Sequence, residues 1–128
     1  MTRLSRRTLL ALLGMAPAAA AASPRPAPTP VRLLRTRVNG EYYYAAAESL
    51  PTLAPGAALT LRREPANAYD RRAIEVFDAA GRKLGYVPMI DNPAVARMMD
   101  AGETMRAHVT AVEPAHRLIR FDVEWLRG

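Results

Sequence analysis

Residues 62–76, "RREPANAYDRRAIEV", gather the side chains of this 128-residue chain best suited to chemistry: the Glu64 carboxylate, the Asn67 amide, the Tyr69 phenol and the Asp70 carboxylate. A plain hairpin loop needs only about two to five residues, so a longer polar connection between two strand-like runs asks for a reason. Glu64 and Asp70 are the only acid pair in a promising place. A two-carboxylate mechanism also demands a fixed gap and a perturbed proton affinity, which spacing does not supply. One reading of the segment is therefore structural: Pro65 fixes a dihedral, Asn67 tolerates a left-handed conformation, Asp70 bonds nearby amides, and Tyr69 lids one end of the fold.

Other catalytic chemistry is missing. His108 and His116 have no carboxylate or thiol at ligand spacing and read as solvated surface. There is no phosphate-binding glycine loop, nucleophile elbow or zinc-binding histidine motif. The chain has no cysteine, which excludes disulfides and cysteine-based zinc sites. We expect no enzyme, no cofactor and no metal.

The elements that must position the loop follow from patterning. "ALTLRR" alternates, with Leu59 and Leu61 inward and Thr60 and Arg62 outward. After the loop, Ile74 and Val76 face one side and Glu75 the other. "DAAGRK" is a turn and "KLGYVP" a short strand ending at Pro88. "DNPAVARMMDAG" predicts a helix capped by Asp91 or Asn92, with Pro93 in its first turn, Gly102 at its end and Val95, Met98 and Met99 as its apolar stripe. Met105, Ala107, Val109 and Ala111 alternate in one long strand; Ile119, Phe121, Val123 and Trp125 alternate in another, and Pro114–His116 joins them. Upstream, "VRLLRTRVNG" and "EYYYAAAESL" read as one or two strands broken at Asn39-Gly40. The expected class is mainly β: a small OB-like antiparallel barrel with one or two short helices.

The N-terminus has a different composition. Residues 1–22 carry Arg3, Arg6 and Arg7, then a mildly apolar run and small residues suited to cleavage, and "SRRTLL" resembles a twin-arginine export signal. The run is too short to span a bilayer. We expect a signal peptide over 1–22, a Pro-rich tether over 23–30 and one domain over 31–128, with a periplasmic or secreted product that is not stably inserted in a membrane. The whole chain has 18 basic and 12 acidic residues; without the three leader arginines the balance is 15 against 12, or +3. So mild a bias does not by itself imply nucleic acid, and high arginine content is a frequent effect of genome composition.

The order "YYY" at 42–44, "REPANAYDRRAIEV", "GRKLGYVP" and "NPAVARMMDAG" resembles the HIRAN domain over about residues 36–112. This module stands at the N-terminus of some eukaryotic SWI/SNF-type DNA-remodelling ATPases and alone in many bacterial proteins. The resemblance implies an OB-like barrel that binds single-stranded DNA, in the remodelling enzymes at its free 3′ end. Matching positions are Tyr43 and Tyr44, to stack on bases or sugar; Asn67, Tyr69 and Asp70, the last accepting from the terminal hydroxyl; and Tyr86, where the family has an aromatic or histidine. Tyr42 stands where end-binding members carry Arg, and Met89 where a basic residue usually follows; both departures remove phosphate contacts. Arg63, Arg71, Arg72 and Arg82 are the candidates to compensate. The expected DNA-binding set is Tyr42, Tyr43, Tyr44, Arg63, Asn67, Tyr69, Asp70 and Tyr86. The competing readings are an exported binder of another envelope ligand or protein partner, and a hydrolase of phosphate compounds.

Overall fold

The structure, a computed structural model, describes residues 24 and 26–127; the expected signal peptide lies outside the described residues. Six strands, β1 (Thr29–Arg37), β2 (Ala58–Arg63), β3 (Ile74–Phe77), β4 (Lys83–Tyr86), β5 (Met105–Glu113) and β6 (Leu118–Arg127), form one antiparallel sheet in the order β1-β6-β5-β2-β3-β4. Two short helices, α1 (Ala46–Ser49) and α2 (Pro93–Asp100), pack on it. The alternating residues do what their period requires: Ile74, Val76, Leu84, Ala107, Val109, Ile119, Phe121 and Val123 are buried in one core with Val95 and Ala96 of α2. The mainly β, OB-like class is the one expected from the sequence. No helix among the described residues is long and apolar enough to cross a membrane.

The sheet curls but is not closed by a strand pair. Its two ends meet at one bridge, where Asn39 N–H donates to the Tyr86 carbonyl and Tyr86 N–H to that of Asn39, both at 2.8 Å. Beside it, Val38 N–H donates to the Ile119 carbonyl at 2.9 Å and Val38 is buried, so the segment after β1 stays anchored to β6. The crossing leaves no room for a side chain at Gly85. Its φ is +153°, and a Cβ there would collide with the Asn39 carbonyl and the Val38 side chain.

Two sequence expectations change. "EYYYAAAESL" is not strand: Gly40, at φ +80°, turns the chain away from β1, and residues 41–52 form 3-10 turns at Glu41–Tyr43 and Leu50–Thr52 around α1. The alanine run favours helix where the tyrosines alone suggest strand, and Ser49 fixes α1 by donating to buried Asp78 at 2.8 Å. Burial pushes the Asp78 pKa up, but bonds from the Arg82 backbone, Ser49 and the Arg82 guanidinium prevail and leave it lowered. The second change is at α2, where Asn92 occupies the cap position without making a side-chain cap. Its amide is used elsewhere.

Gly85→Ala should lower folding stability by about 2–4 kcal/mol, combining an unfavourable φ with a steric clash. Gly81→Ala also has a positive φ but opens onto free space, and should cost only about 1–2 kcal/mol. Denaturant titration of both variants checks the difference; equal losses would remove the claim that Gly85 is set by the Asn39 crossing.

Candidate nucleic-acid interface

The 64–73 loop is held from within. Asn67 N–H donates to the Glu64 carbonyl at 3.1 Å, closing a turn with Pro65 at its second position. The Asn67 side-chain oxygen accepts from Tyr69 N–H at 2.9 Å and Asp70 N–H at 3.0 Å. Asn67 therefore acts through its amide and does not use the left-handed backbone that it tolerates, since Arg117 is the only described non-glycine residue with positive φ. Asp70 Oδ1 accepts from Arg72 N–H at 2.9 Å, the short-range turn foreseen from the sequence. Asp70 Oδ2 accepts from the Asn92 Nδ2 amide at 2.8 Å. Asn92 is buried and its Oδ1 has no partner, so α2 delivers one donor from beneath to fix the Asp70 carboxylate.

A second set of contacts ties this loop to β4. The Tyr86 hydroxyl donates to Glu64 Oε2 at 2.8 Å and accepts from Lys83 Nζ at 2.7 Å, while Asn67 Nδ2 donates to Glu64 Oε1 at 3.1 Å. Lys83 Nζ lies 3.3 Å from Glu75 Oε2 and 4.3 Å from the centroids of both the Tyr44 and Tyr86 rings. Those rings meet edge to face, 5.8 Å apart at 67°. Cation–π contacts of this kind contribute about 0.5–2 kcal/mol each. The Tyr86 hydrogen bond holds the Glu64 pKa down against burial, with help from Asn67 and Lys83. Burial pushes Lys83 down, but Tyr86 and Glu75 outweigh it and its pKa is raised. Tyr86 is pushed up by burial and by Glu64, against the pull of Lys83. At neutral pH the chain thus reads ammonium, phenol, carboxylate, amide.

These groups border an open cavity of about 360 Å³, lined by Asn39, Tyr44, Asn67, Ala68, Tyr69, Asp70, Ala73, Tyr86, Val87 and Met89. That size falls within the range of small-ligand sites, roughly 300–1,000 Å³. Tyr44, Asn67, Tyr69, Asp70 and Tyr86 of the expected set come together here. Tyr69 does not lid the fold: it is 92% exposed at the rim. Tyr43 is exposed and does not line the cavity, because its 3-10 turn directs Tyr44 there instead. Tyr42 lies in the same turn, but its side chain is outside the described residues.

Arg63 does not line the cavity. Its guanidinium is committed to Asp100 at 2.9 Å and to the carbonyls of Ala73 and Arg71, clamping the base of the loop to α2 rather than facing the cavity. Arg82 is likewise held by Asp78 at 2.8 Å, while Arg71 and Arg72 are exposed. Sequence reasoning missed Asn39, Lys83 and Asn92 as contributors. Lys83, the sole lysine in an arginine-rich chain, was the one compositional signal. His108 is half-buried, with Nδ1 3.4 Å from Glu124 Oε1, and no cluster of metal-ligating side chains occurs among the described residues.

Comparisons with known proteins agree with this architecture. The HIRAN domain family model matches residues 31–124. A crystal structure of a protein from Lactobacillus plantarum is similar at 32% identity and TM-score 0.73, covering 78% of this chain and 98% of that one. The HIRAN domain of human HLTF shares the fold at 23% identity and TM-score 0.62, covering 75% of this chain and 78% of that one. No protein with curated annotation matches the chain.

Tyr86→Phe should raise the Glu64 pKa toward the ordinary carboxylate value, read by a carboxyl-carbon NMR pH titration. Because the folded pKa is depressed, the stability Glu64 supplies is full above its unfolded pKa and is lost as pH falls through the folded one. The stability gap between wild type and Tyr86→Phe should therefore narrow on acidification through that range. A gap independent of pH would show that the phenol does not support the carboxylate. Asn67→Ala, which strips the acceptor from two loop N–H groups, should cost about 1–3 kcal/mol by thermal or chemical denaturation.

Proposed function

The chain belongs to the HIRAN family, and on that footing we propose that it is a nucleic-acid-binding module that grips the free 3′ end of an unpaired strand. The observation that carries this reading is the convergence of the Tyr44 and Tyr86 rings with Asn67 and Asp70 on one cavity. A ring face beside an unpaired base offers about 1–3 kcal/mol of stacking with little sequence preference. The Tyr44–Tyr86 pair is already immobilised by Lys83, so little ordering is left for the ligand to impose.

Asp70 supplies end recognition. Each of its oxygens accepts one hydrogen bond within the protein, and a carboxylate oxygen has room for about two. A terminal hydroxyl can donate to a remaining lone pair. A 3′-phosphate cannot donate there when ionised, and it brings negative charge against the carboxylate. Phosphate contacts are sparse at the rim, where Met89 is 58% exposed and adds no cation. Affinity should therefore rest more on stacking and the hydroxyl bond than on charge.

Fluorescence anisotropy with short oligonucleotides ending in a 3′-hydroxyl or a 3′-phosphate tests the reading. Wild type should prefer the hydroxyl end by about tenfold or more, the range of a hydrogen bond to a charged acceptor. Asp70→Asn should lose that preference while keeping its melting temperature within a few degrees. Tyr44→Ala should weaken both oligonucleotides alike. Equal binding of the two ends by wild type, or no binding of either at low salt, would overturn the proposal, and the second result would favour a different ligand for the same cavity.

A further inference from the structure

Strand register places a row of cross-strand pairs on the outer face of the sheet: Arg32 opposite Glu124, Arg35 opposite Asp122, and Arg37 opposite Arg120. Paired residues share a face. The first two pairs match a cation with a carboxylate, and Arg35 grips Asp122 through two bonds of 2.8 and 2.9 Å. The third sets two arginines opposite each other across the strand pair. Like charges directly opposed across a strand pair are destabilising, both arginines are exposed, and among the described residues no carboxylate forms an ion pair with either one.

The position of this mismatch gives it meaning. Arg35, Arg37 and Asn39 alternate with half-buried Thr36 and buried Val38, so they project to one side. Asn39 lines the cavity and bridges to Tyr86. Two residues of extended chain span about 6.6 Å, which places Arg37 one short step from the cavity wall on the same outer surface.

We propose that Arg37 and Arg120 form a phosphate clamp that holds the sugar–phosphate backbone of a strand whose terminal nucleotide occupies the cavity. The inference rests on the nucleic-acid reading above and extends it to the nucleotides that precede the bound end. A guanidinium donates in a planar fork suited to two phosphate oxygens, so one phosphate between Arg37 and Arg120 turns a repulsion into two attractions. The neighbouring pairs keep the row in register: Arg106 and Arg35 neutralise Glu124 and Asp122, the carboxylates that would otherwise repel the strand. Continuity with the cavity, whose aromatic walls suit a base, favours a strand over an acidic polypeptide.

The test measures binding of thymidine, which has a free 3′-hydroxyl and no phosphate, and of an octathymidylate with a free 3′-hydroxyl, to the full chain across salt concentrations. Wild type should bind the octamer more tightly than thymidine. Arg37→Gln/Arg120→Gln should weaken octamer binding about tenfold and cut its log–log salt slope by about 0.7, the loss of one single-strand phosphate contact. Thymidine affinity should stay unchanged. Each single variant should show about half the slope change, so the test stands even if the double variant folds poorly. An unchanged octamer affinity, or an equal loss for both ligands, would overturn the clamp while leaving the end-binding cavity intact. Failure of wild type to bind either ligand would remove both proposals together. A glutamate octapeptide that binds wild type as tightly as the octamer, and is weakened alike by the variant, would assign the row to acidic polypeptides instead.

Discussion

Two hydrogen bonds between the backbones of Asn39 and Tyr86 organise the molecule. An open antiparallel sheet leaves unpaired edges, and here the ends of a six-stranded sheet are drawn together at this crossing instead of through a full strand pair. The approach is close enough to exclude every side chain at position 85. It sets Tyr86 and Asn39 side by side as one wall of the cavity, and it continues the outer face of β1 into the binding surface. Without the crossing, the 64–73 loop would have no opposing wall and the aromatic pair no common frame.

On that frame a polar chain runs from Lys83 through Tyr86 and Glu64 to Asn67 and the amides of Tyr69 and Asp70. Each member limits its neighbour. The ammonium fixes the phenol oxygen, the phenol fixes the carboxylate, and the carboxylate orients the amide that shapes the loop. Satisfied networks of this kind are rigid because leaving any member unpaired is costly. Asn92 closes the other end by donating to Asp70 from beneath. The loop thus serves two purposes with the same residues: its inward-facing atoms make a stable turn, and the remaining lone pairs of Asp70 stay available at the cavity.

Much was legible in the sequence because it depends on local period and local chemistry. Ile119, Phe121 and Val123 alternate and are buried; Pro93 opens a helix that stops before Gly102; the turn chemistry of Pro65, Asn67 and Asp70 announces a structured loop. The segment "EYYYAAAESL" was misjudged because three aromatics carry a strand signal in isolation, whereas a left-handed Gly40 and a buried anchor at Ser49 select helical turns. In the sequence Arg63 suits phosphate as well as structure, being a cation beside a polar loop. Only the approach of α2, which brings Asp100 within reach, commits it to structure.

The sequence by itself determined the strands, the second helix, the family and the residue types able to meet a nucleotide, since these rest on short-range patterns and on an ordered set of motifs. The tertiary structure decided which of those side chains share a cavity and which are used up in holding it. It alone brought Lys83 over two tyrosine rings, turned Asn92 from helix cap to carboxylate donor and set Arg37 against Arg120. The reason is physical: such contacts join residues far apart in the chain, and their partners are chosen by strand register and sheet curvature, which no local pattern encodes.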